Sequence, residues 1–237
     1  MNGKRLTILR AHASGVQGRY TRVAIRSAWL ADAGFVPGLS VCAVPMCDGF
    51  TATLQNNKNS VRGKLFRIGL MGDKHPSLII DITRNFPMPE IFAGDFLAAA
   101  YEHGRITAKK LPPADRYYVI DSHCHAAHLK LGGDWLNDTG FPPDTIATVA
   151  TEDGKITIHA VQNNSPANYG DIVKYARARK LQITQSRKHD DSITLALSDR
   201  VLGSAGFAVG DICGVRCNPG VISLFKPDFI PVLTTTA

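Results

Sequence analysis

The sequence lacks any apolar run that approaches the ~18 residues of a membrane-spanning helix. Its first residues are basic, and no apolar stretch of the kind found in secretion signals follows them. Five cysteines are present, an odd number, and no two of them have the C-x-x-C spacing of metal or redox motifs. The sequence therefore predicts a cytoplasmic protein that does not enter the membrane, with Cys42 and Cys213 as reduced thiols in the core.

Common catalytic signatures are also missing. There is no phosphate-binding loop of the Walker type, no G-x-S-x-G turn and no H-E-x-x-H zinc motif, and we expect neither a cofactor nor a metal. One cluster of reactive side chains remains, in which Asp121 precedes His123, Cys124, His125 and His128. In a continuous strand, His123 and His125 would share a face as an acid–base pair or as metal ligands. A polar loop between two strands is the alternative.

What the sequence does contain is a repeat. Residues 28–35, 134–141 and 200–207 each follow an alternating apolar strand and end in Gly-Phe. A second strand and a turn glycine come next, and the second glycine lies 15, 14 and 14 positions after the first in the three copies. A fourth copy at 78–108 has no Trp-Leu pair and contains Pro87 and Pro89, so its helix should be short or broken. Such a repeat defines the unit of the fold.

The repeated segment is interpreted as the packing seam of each unit, because a helical turn closed by glycine brings its large apolar residues to one core. The predicted core residues are Trp29, Leu30, Gly34, Phe35, Trp135, Leu136, Gly140, Phe141, Leu202, Gly206 and Phe207.

The four units predict a mostly β fold with short helices. Units of roughly 55 residues are marginal alone because they bury too little surface. We therefore expect units 1–56 and 57–113 to form one domain, 1–113, and units 114–170 and 171–237 to form the other, 114–237. The protein would then be a monomer with two internal pairs, or a homodimer.

Charge is distributed unevenly between these halves. Residues 1–113 contain 15 lysines and arginines against 7 aspartates and glutamates, whereas the remainder contains 12 against 13. A half with a net charge of +8 is expected to attract polyanions, most simply nucleic acid, although a solvated face with a basic linker is the alternative. The predicted contact residues are Arg5, Arg19, Arg22, Arg26, Lys64, Arg67, Arg177, Arg179 and Lys180.

The run from Leu129 to Phe141, with Gly154-Lys155-Ile156-Thr157-Ile158 behind it, resembles the SymE-like toxin family. That family's pattern is leucine-x-leucine-x-glycine-x-tryptophan-leucine, two or three residues, glycine-phenylalanine, a strand, a glycine and a final strand. Residues 24–54 match it nearly as well, residues 193–224 keep all but the tryptophan, and residues 78–108 keep only the ends.

This resemblance implies the AbrB/SpoVT-type swapped-hairpin superfamily, in which two units interleave strands in one barrel. The chain would hold tandem AbrB-like barrels, two pseudo-dimers, with the second unit degenerate. The resemblance further implies a nucleic-acid-binding toxin of a bacterial toxin–antitoxin system. The alternatives are an endoribonuclease that reduces translation and an AbrB-type antitoxin or protein-interaction module. In an endoribonuclease, His123 and His125 with Lys130 or Arg116 would supply acid, base and cation. The sequence does not distinguish DNA from RNA as the partner.

Overall fold

The computed structural model describes residues 5–26, 29–55, 63–71, 75–83, 85–102, 104–161, 179–182, 184–185 and 193–228. Within these ranges the protein is mostly β, with nineteen strands and three short α-helices, which confirms the predicted class. They fall into two compact units, one within Met1–Pro113 and the other within Ala114–Asp228. Over the same ranges, none of the helices has the length and apolar character needed to cross a membrane.

The first unit contains nine strands, one helix and a 3-10 turn. They are β1 Arg5–Ser14, the 3-10 turn Val16–Gly18, β2 Tyr20–Arg26, α1 Trp29–Asp32, β3 Ser40–Met46, β4 Gly49–Leu54, β5 Lys64–Arg67, β6 Gly69–Met71, β7 His75–Ile82, β8 Phe96–Glu102 and β9 Arg105–Lys110.

These nine strands form one sheet in the order β5-β3-β4-β9-β8-β1-β2-β7-β6, which curls into a nearly closed barrel. Strand β1 changes partner along its length, because its residues 5–10 pair with β8 and its residues 11–14 pair with β2. Strands β5 and β6, which only Ile68 separates, likewise pair with β3 and β7. The first strand of each sequence repeat therefore pairs with the hairpin of the other repeat.

The second unit repeats this plan with ten strands and two helices in the described ranges. They are β10 Arg116–Val119, β11 Asp121–His123, β12 Ala126–Gly132, α2 Trp135–Asp138, β13 Ile146–Glu152, β14 Lys155–Val161, β15 Arg179–Gln182, β16 Thr184–Gln185, β17 Ile193–Leu197, α3 Asp199–Ser204, β18 Ile212–Asn218 and β19 Val221–Phe225.

Strand pairing in the second unit matches that in the first. Its strands form a six-stranded sheet, β10-β18-β19-β14-β13-β15, and a four-stranded sheet, β11-β12-β17-β16. The two hairpins meet through β14 and β19, as β4 and β9 do in the first unit. Strand β10 pairs with β18 and β15 pairs with β13, so the exchange of first strands recurs.

In the described residues, the loop after the Gly-Phe position holds the midpoint of an exchanged strand in the first, second and fourth repeats. In the first unit, Gly94 donates its N–H to the carbonyl of Ala11, and the N–H of Ala11 donates to the carbonyl of Asp95, both at 2.8 Å. In the second unit, Ile120 makes the equivalent pair of bonds with Gly210 and Asp211, at 2.8 and 2.9 Å. Backbone hydrogen bonds thus fix the point at which the strand changes partner.

Each unit has its own core, and the predicted seam lies in it. Leu30, Phe35, Leu136, Phe141 and Leu202 are fully buried, and Phe207 is nearly so. In every complete copy the Phe N–H donates to the Leu carbonyl five residues earlier, at 2.7, 2.8 and 3.0 Å. The intervening glycines, Gly34, Gly140 and Gly206, have φ of 87°, 89° and 74°, which closes the helix in the left-handed conformation that glycine adopts without strain.

The remaining predicted seam residues differ from these in their burial or lie outside the described residues. Trp135 is half-buried against the core, and its indole N–H donates to the Gly132 carbonyl at 2.9 Å. The side chain of Trp29 lies outside the described residues. Between β7 and β8 the described residues contain no helix, and Phe86 and Met88 fill the core from an extended segment that includes Pro87 and Pro89. Both Cys42 and Cys213 are free thiols and buried.

Candidate nucleic-acid interface

The outer side of β1 and β2 carries a row of basic residues. Val23 and Ile25 of β2 point into the core, so Arg22 and Arg26 lie on the opposite face. His12 of β1 pairs directly with Arg22. We call Arg10, His12, Arg22 and Arg26, with Arg19 in the loop before β2, the basic face.

Arg22 is compensated within the protein. It lies opposite Asp81 on β7, and its Nε donates to Asp81 Oδ1 at 2.6 Å while Nη2 donates to Oδ2 at 3.2 Å. This hydrogen bonding raises the pKa of Arg22 above its usual value, against the opposing effect of burial. Both side chains are about one-third exposed, at 33% and 32%. Arg22 is thus a weaker candidate for ligand contact than its neighbours.

Four other arginines in the described part of the first unit are not compensated in this way. Three acidic residues of the unit, Asp48, Asp81 and Asp95, are ion-paired with Lys109, Arg22 and Lys110. No ion pair to any described residue is formed by four exposed arginines. They are Arg10, Arg19, Arg26 and Arg67.

Arg10 is not among the contact residues predicted from the sequence. The alternation of core and outward residues along β1 indicates that Arg10 faces outward, because Arg10 and His12 lie on either side of the core residue Ala11. Arg67 ends β5 opposite Ser40 and is exposed. Lys64, at the start of the same strand, is half-buried with its Nζ 5.4 Å from the centre of the Phe66 ring.

The remaining predicted contacts are described only in part. Arg5 pairs with Tyr101 across β1 and β8, but its side chain is outside the described residues. The same holds for Arg179 and Lys180, whose backbones pair with Val149 and Thr148. Arg177 lies outside the described residues altogether.

Of the two interpretations of the histidine cluster, a continuous strand and a polar loop between two strands, the structure shows a turn between two strands. Cys124 and His125 are the two central residues of a tight hairpin turn between β11 and β12, with φ of 50° and 67°. Positive φ at both central positions is the pattern of a type I′ turn, which matches the twist of the adjoining strands. His123 and His125 therefore do not share a strand face, because the chain reverses between them.

His128 is the partner of His123 instead. Their ring centres lie 5.7 Å apart, and Asp121 is directly opposite His128 across the hairpin. Lys130 follows on the same face of β12, since Leu129 and Leu131 point into the core. In the part of the chain that the structure describes, no three His, Cys, Asp or Glu residues are grouped so as to hold a metal ion.

Known proteins offer little to compare with this arrangement. No protein-family model matches the sequence, and no curated protein matches it significantly. Among solved structures, the Caulobacter crescentus pol III beta protein is 13% identical with a TM-score of 0.14, over 95% of this chain and 67% of that one. A Helicobacter pylori beta clamp bound to a DNA ligase peptide is 10% identical with a TM-score of 0.12, over 91% and 67%.

A second Caulobacter crescentus structure, a DNA polymerase sliding clamp, is 11% identical with a TM-score of 0.14. This chain spans 57% of the length of that clamp. Similarities at such TM-scores carry no argument about fold or function.

Proposed function

We propose that the protein binds DNA or RNA through the basic face of its first unit. The observation that carries this proposal is the set of exposed arginines that form no ion pair with a described residue, in a half of the chain whose net charge is +8. Arginine and lysine bind phosphates of any sequence and release condensed counterions, so this binding is electrostatic and depends strongly on salt.

The proposed role is that of a SymE-like module in a bacterial toxin–antitoxin system. Support comes from the strand exchange, in which β1 pairs with β8 and β5 pairs with β3. Such reciprocal pairing is what two interleaved AbrB-type hairpin units joined in one chain would produce. The second unit repeats it through β10 and β15. We propose on this basis that each compact unit is a covalent pseudo-dimer.

The test is charge reversal on the first unit. In the triple variant Arg10→Glu, Arg19→Glu and Arg26→Glu, retardation of a DNA duplex on a native gel should be abolished. If all three contact phosphates, the slope of log affinity against log salt should fall by about 3, since each duplex phosphate contact contributes about 0.9.

A matched control reverses the same number of positive charges on the second unit. Lys155, Arg200 and Arg216 are exposed there, and their reversal to glutamate should leave binding nearly unchanged. Equal losses in the two triple variants would show that net charge, and not the basic face, determines binding. Unchanged binding in the first triple variant would remove the proposal.

A second candidate function is RNA cleavage, which the approach of His123 to His128 favours. Two imidazoles with ring centres 5.7 Å apart can take and give a proton in the attack of a 2′-hydroxyl, and Lys130 on the same face supplies a cation for the phosphate. Purified protein should then cleave RNA, and His123→Ala with His128→Ala should abolish cleavage. His125→Ala, at the turn, should retain it. Cleavage that survives the double variant excludes this site.

A further inference from the structure

The hairpin of β11 and β12 brings two imidazoles together on the outside of the second unit. The ring centres of His123 and His128 lie 5.7 Å apart, and the ring planes are tilted by 47°. A metal ion at its usual distance from an imidazole nitrogen lies about 3 Å from the ring centre, so two rings on one ion have centres about 5 Å apart. Small rotations of the two side chains are therefore enough to place both rings on one ion.

The described structure gives neither imidazole another role. No hydrogen bond joins either ring to a described residue. Both side chains leave the hairpin on the face opposite to Ala127 and Leu129, which pack in the core. Their ring nitrogens are therefore available as ligands.

The fold does not require histidine at either position. By strand register, Ser14 of the first unit occupies the place of His123, and Arg22 occupies the place of His128. The first unit forms the same exchanged strand with these residues. The paired imidazoles are thus a property of this hairpin and not of the repeat.

Asp121 is the third side chain within reach. It lies two residues before His123 on β11 and directly opposite His128 on β12, so the three side chains leave the same face of the hairpin. Its Oδ1 accepts the N–H of Ser122 at 2.7 Å, an exposed bond that a change of rotamer releases. In the present rotamer the carboxylate does not join the two rings as a group of three.

We propose that His123, His128 and Asp121 form a site for a divalent transition-metal ion such as Zn²⁺. Imidazole and carboxylate are ligands that Zn²⁺ shares with Ni²⁺ and Cu²⁺, whereas Mg²⁺ and Ca²⁺ prefer oxygen ligands alone. Three ligands on an exposed hairpin leave further coordination positions to water, so the ion exchanges with the solution.

This site goes beyond the nucleic-acid binding proposed above, because it lies on the second unit and shares no residue with the basic face. It does share its two histidines with the RNA-cleavage candidate. A metal ion takes the lone pair that an imidazole needs as a base, so one molecule cannot use the pair in both ways at once.

The test is titration of the purified protein with Zn²⁺ in a calorimeter. His123→Ala and His128→Ala should each abolish the heat of binding. Asp121→Asn should weaken binding by about 10-fold, since even groups that only support a metal ligand contribute about that much. Zn²⁺ should also raise the Tm of the wild-type protein, and not that of the histidine variants, because the ion binds the folded state alone.

Two controls have the same chemistry at other positions. His159→Ala removes an exposed histidine of β14, and Cys124→Ser removes the exposed thiol next to His123. Both should leave the Zn²⁺ affinity unchanged. The histidine variants should fold, because other residues occupy the equivalent places in the first unit, and the circular dichroism of the metal-free proteins checks this.

The imidazole NMR signals of the wild-type protein give the same answer without a substitution. Those of His123 and His128 should shift together on addition of Zn²⁺, and those of His159 should not.

Three outcomes would overturn the inference. The wild-type protein could bind no Zn²⁺, or the two histidine variants could bind it as well as the wild type does. Cys124→Ser or His159→Ala could also lower the affinity as much as His128→Ala, in which case the ion is bound elsewhere. Unshifted signals of His123 and His128 at saturating Zn²⁺ would have the same meaning.

Discussion

Lys226 donates a hydrogen bond to Asp211 across 2.8 Å, although the two residues are fifteen positions apart in the chain. The same carboxylate oxygen accepts the N–H of Ala208 at 2.8 Å, so it joins the end of the last strand to the loop that holds Ile120. Asp95 and Lys110 repeat this arrangement at the same 2.8 Å. We call each of these two pairs, Asp211 with Lys226 and Asp95 with Lys110, an Asp–Lys latch.

The latch occurs in alternate repeats. Strand register places Leu39 and Leu54 of the first repeat at the positions of the latch aspartate and lysine, and it places Thr145 and Ala160 of the third repeat there. The first and third repeats share instead the Trp-Leu helix that the second lacks. The repeating element of this chain is therefore a pair of unlike sequence repeats. The second repeat is a specialised partner of the first and not only a degenerate copy of it.

Removing the latch should destabilise the second compact unit. Lys226→Met keeps most of the side-chain length but leaves Asp211, whose side chain is 18% exposed, without its cation. We expect the free energy of unfolding to fall by about 1 kcal/mol, since Lys226 is partly solvated. Urea denaturation would measure this loss.

Lys155→Met is the matched control for the latch. Lys155 faces Glu152 at 3.8 Å with side chains 49% and 71% exposed, so its loss should cost close to nothing. Equal losses in the two variants would mean that the latch adds no stability beyond that of a surface charge pair.

Alkaline pH should destabilise the second unit through two buried groups. Burial raises the pKa of Tyr117 from 10.0 to about 12 and that of the Cys213 thiol from 9.0 to about 12. The folded protein therefore holds protons that the unfolded chain releases, and stability that is complete below pH 9 should fall as pH rises towards 12. Urea unfolding across this range measures the slope, which Tyr117→Phe should reduce above pH 10. An unchanged slope in Tyr117→Phe would contradict the assignment to Tyr117.

Two glycines of the second unit should respond in opposite directions to alanine. A Cβ at Gly214 in β18 would overlap the Phe225 ring, which lies between Tyr117 and Arg216. We expect Gly214→Ala to cost about 1–3 kcal/mol through overpacking. Gly203 in α3 has open space around its Cβ position, and Gly203→Ala should stabilise by about 0.5–1 kcal/mol. Thermal unfolding followed by circular dichroism would separate the two, and similar shifts in Tm would contradict this packing.

The cysteines should differ in reactivity towards a thiol reagent in the native protein. Cys47 and Cys124 are exposed and should react first. Cys217 is half-buried, and burial raises its pKa, so it should react more slowly. Cys42 and Cys213 should react only after unfolding, because they are buried. Mass spectrometry of a labelling time course identifies the order, and early labelling of Cys213 would contradict its burial.

Features that depend on local pattern could be predicted from the sequence. The mostly β class, the short helices and the apolar seam followed from alternation and from glycine after a helical turn. Leu136 and Phe141 are joined by a hydrogen bond only five residues apart, so their neighbours in the sequence were sufficient.

Features that depend on distant partners could not be predicted. Arg22 was assigned to ligand contact because its partner Asp81 lies 59 residues away, and nothing near Arg22 indicates that pairing. The turn at Cys124 and His125 lacks the Asn-Gly or Asp-Gly that usually marks a two-residue hairpin, so the sequence left a strand and a polar loop both open.

The exchanged strands have a consequence for synthesis and folding. Strand β1 pairs with β8, where Arg10 lies opposite Phe96, and β3 pairs with β5, which is closer in the sequence. The first barrel therefore cannot close until its last hairpin, formed by β8 and β9, has been synthesised. Contacts of such long range slow folding, because the intervening chain has to be ordered before they form. During translation, the apolar face of β1 in the first repeat stays exposed to solvent until the second repeat has been synthesised. We therefore expect chaperones to matter most for this protein while the nascent chain is between one repeat and two.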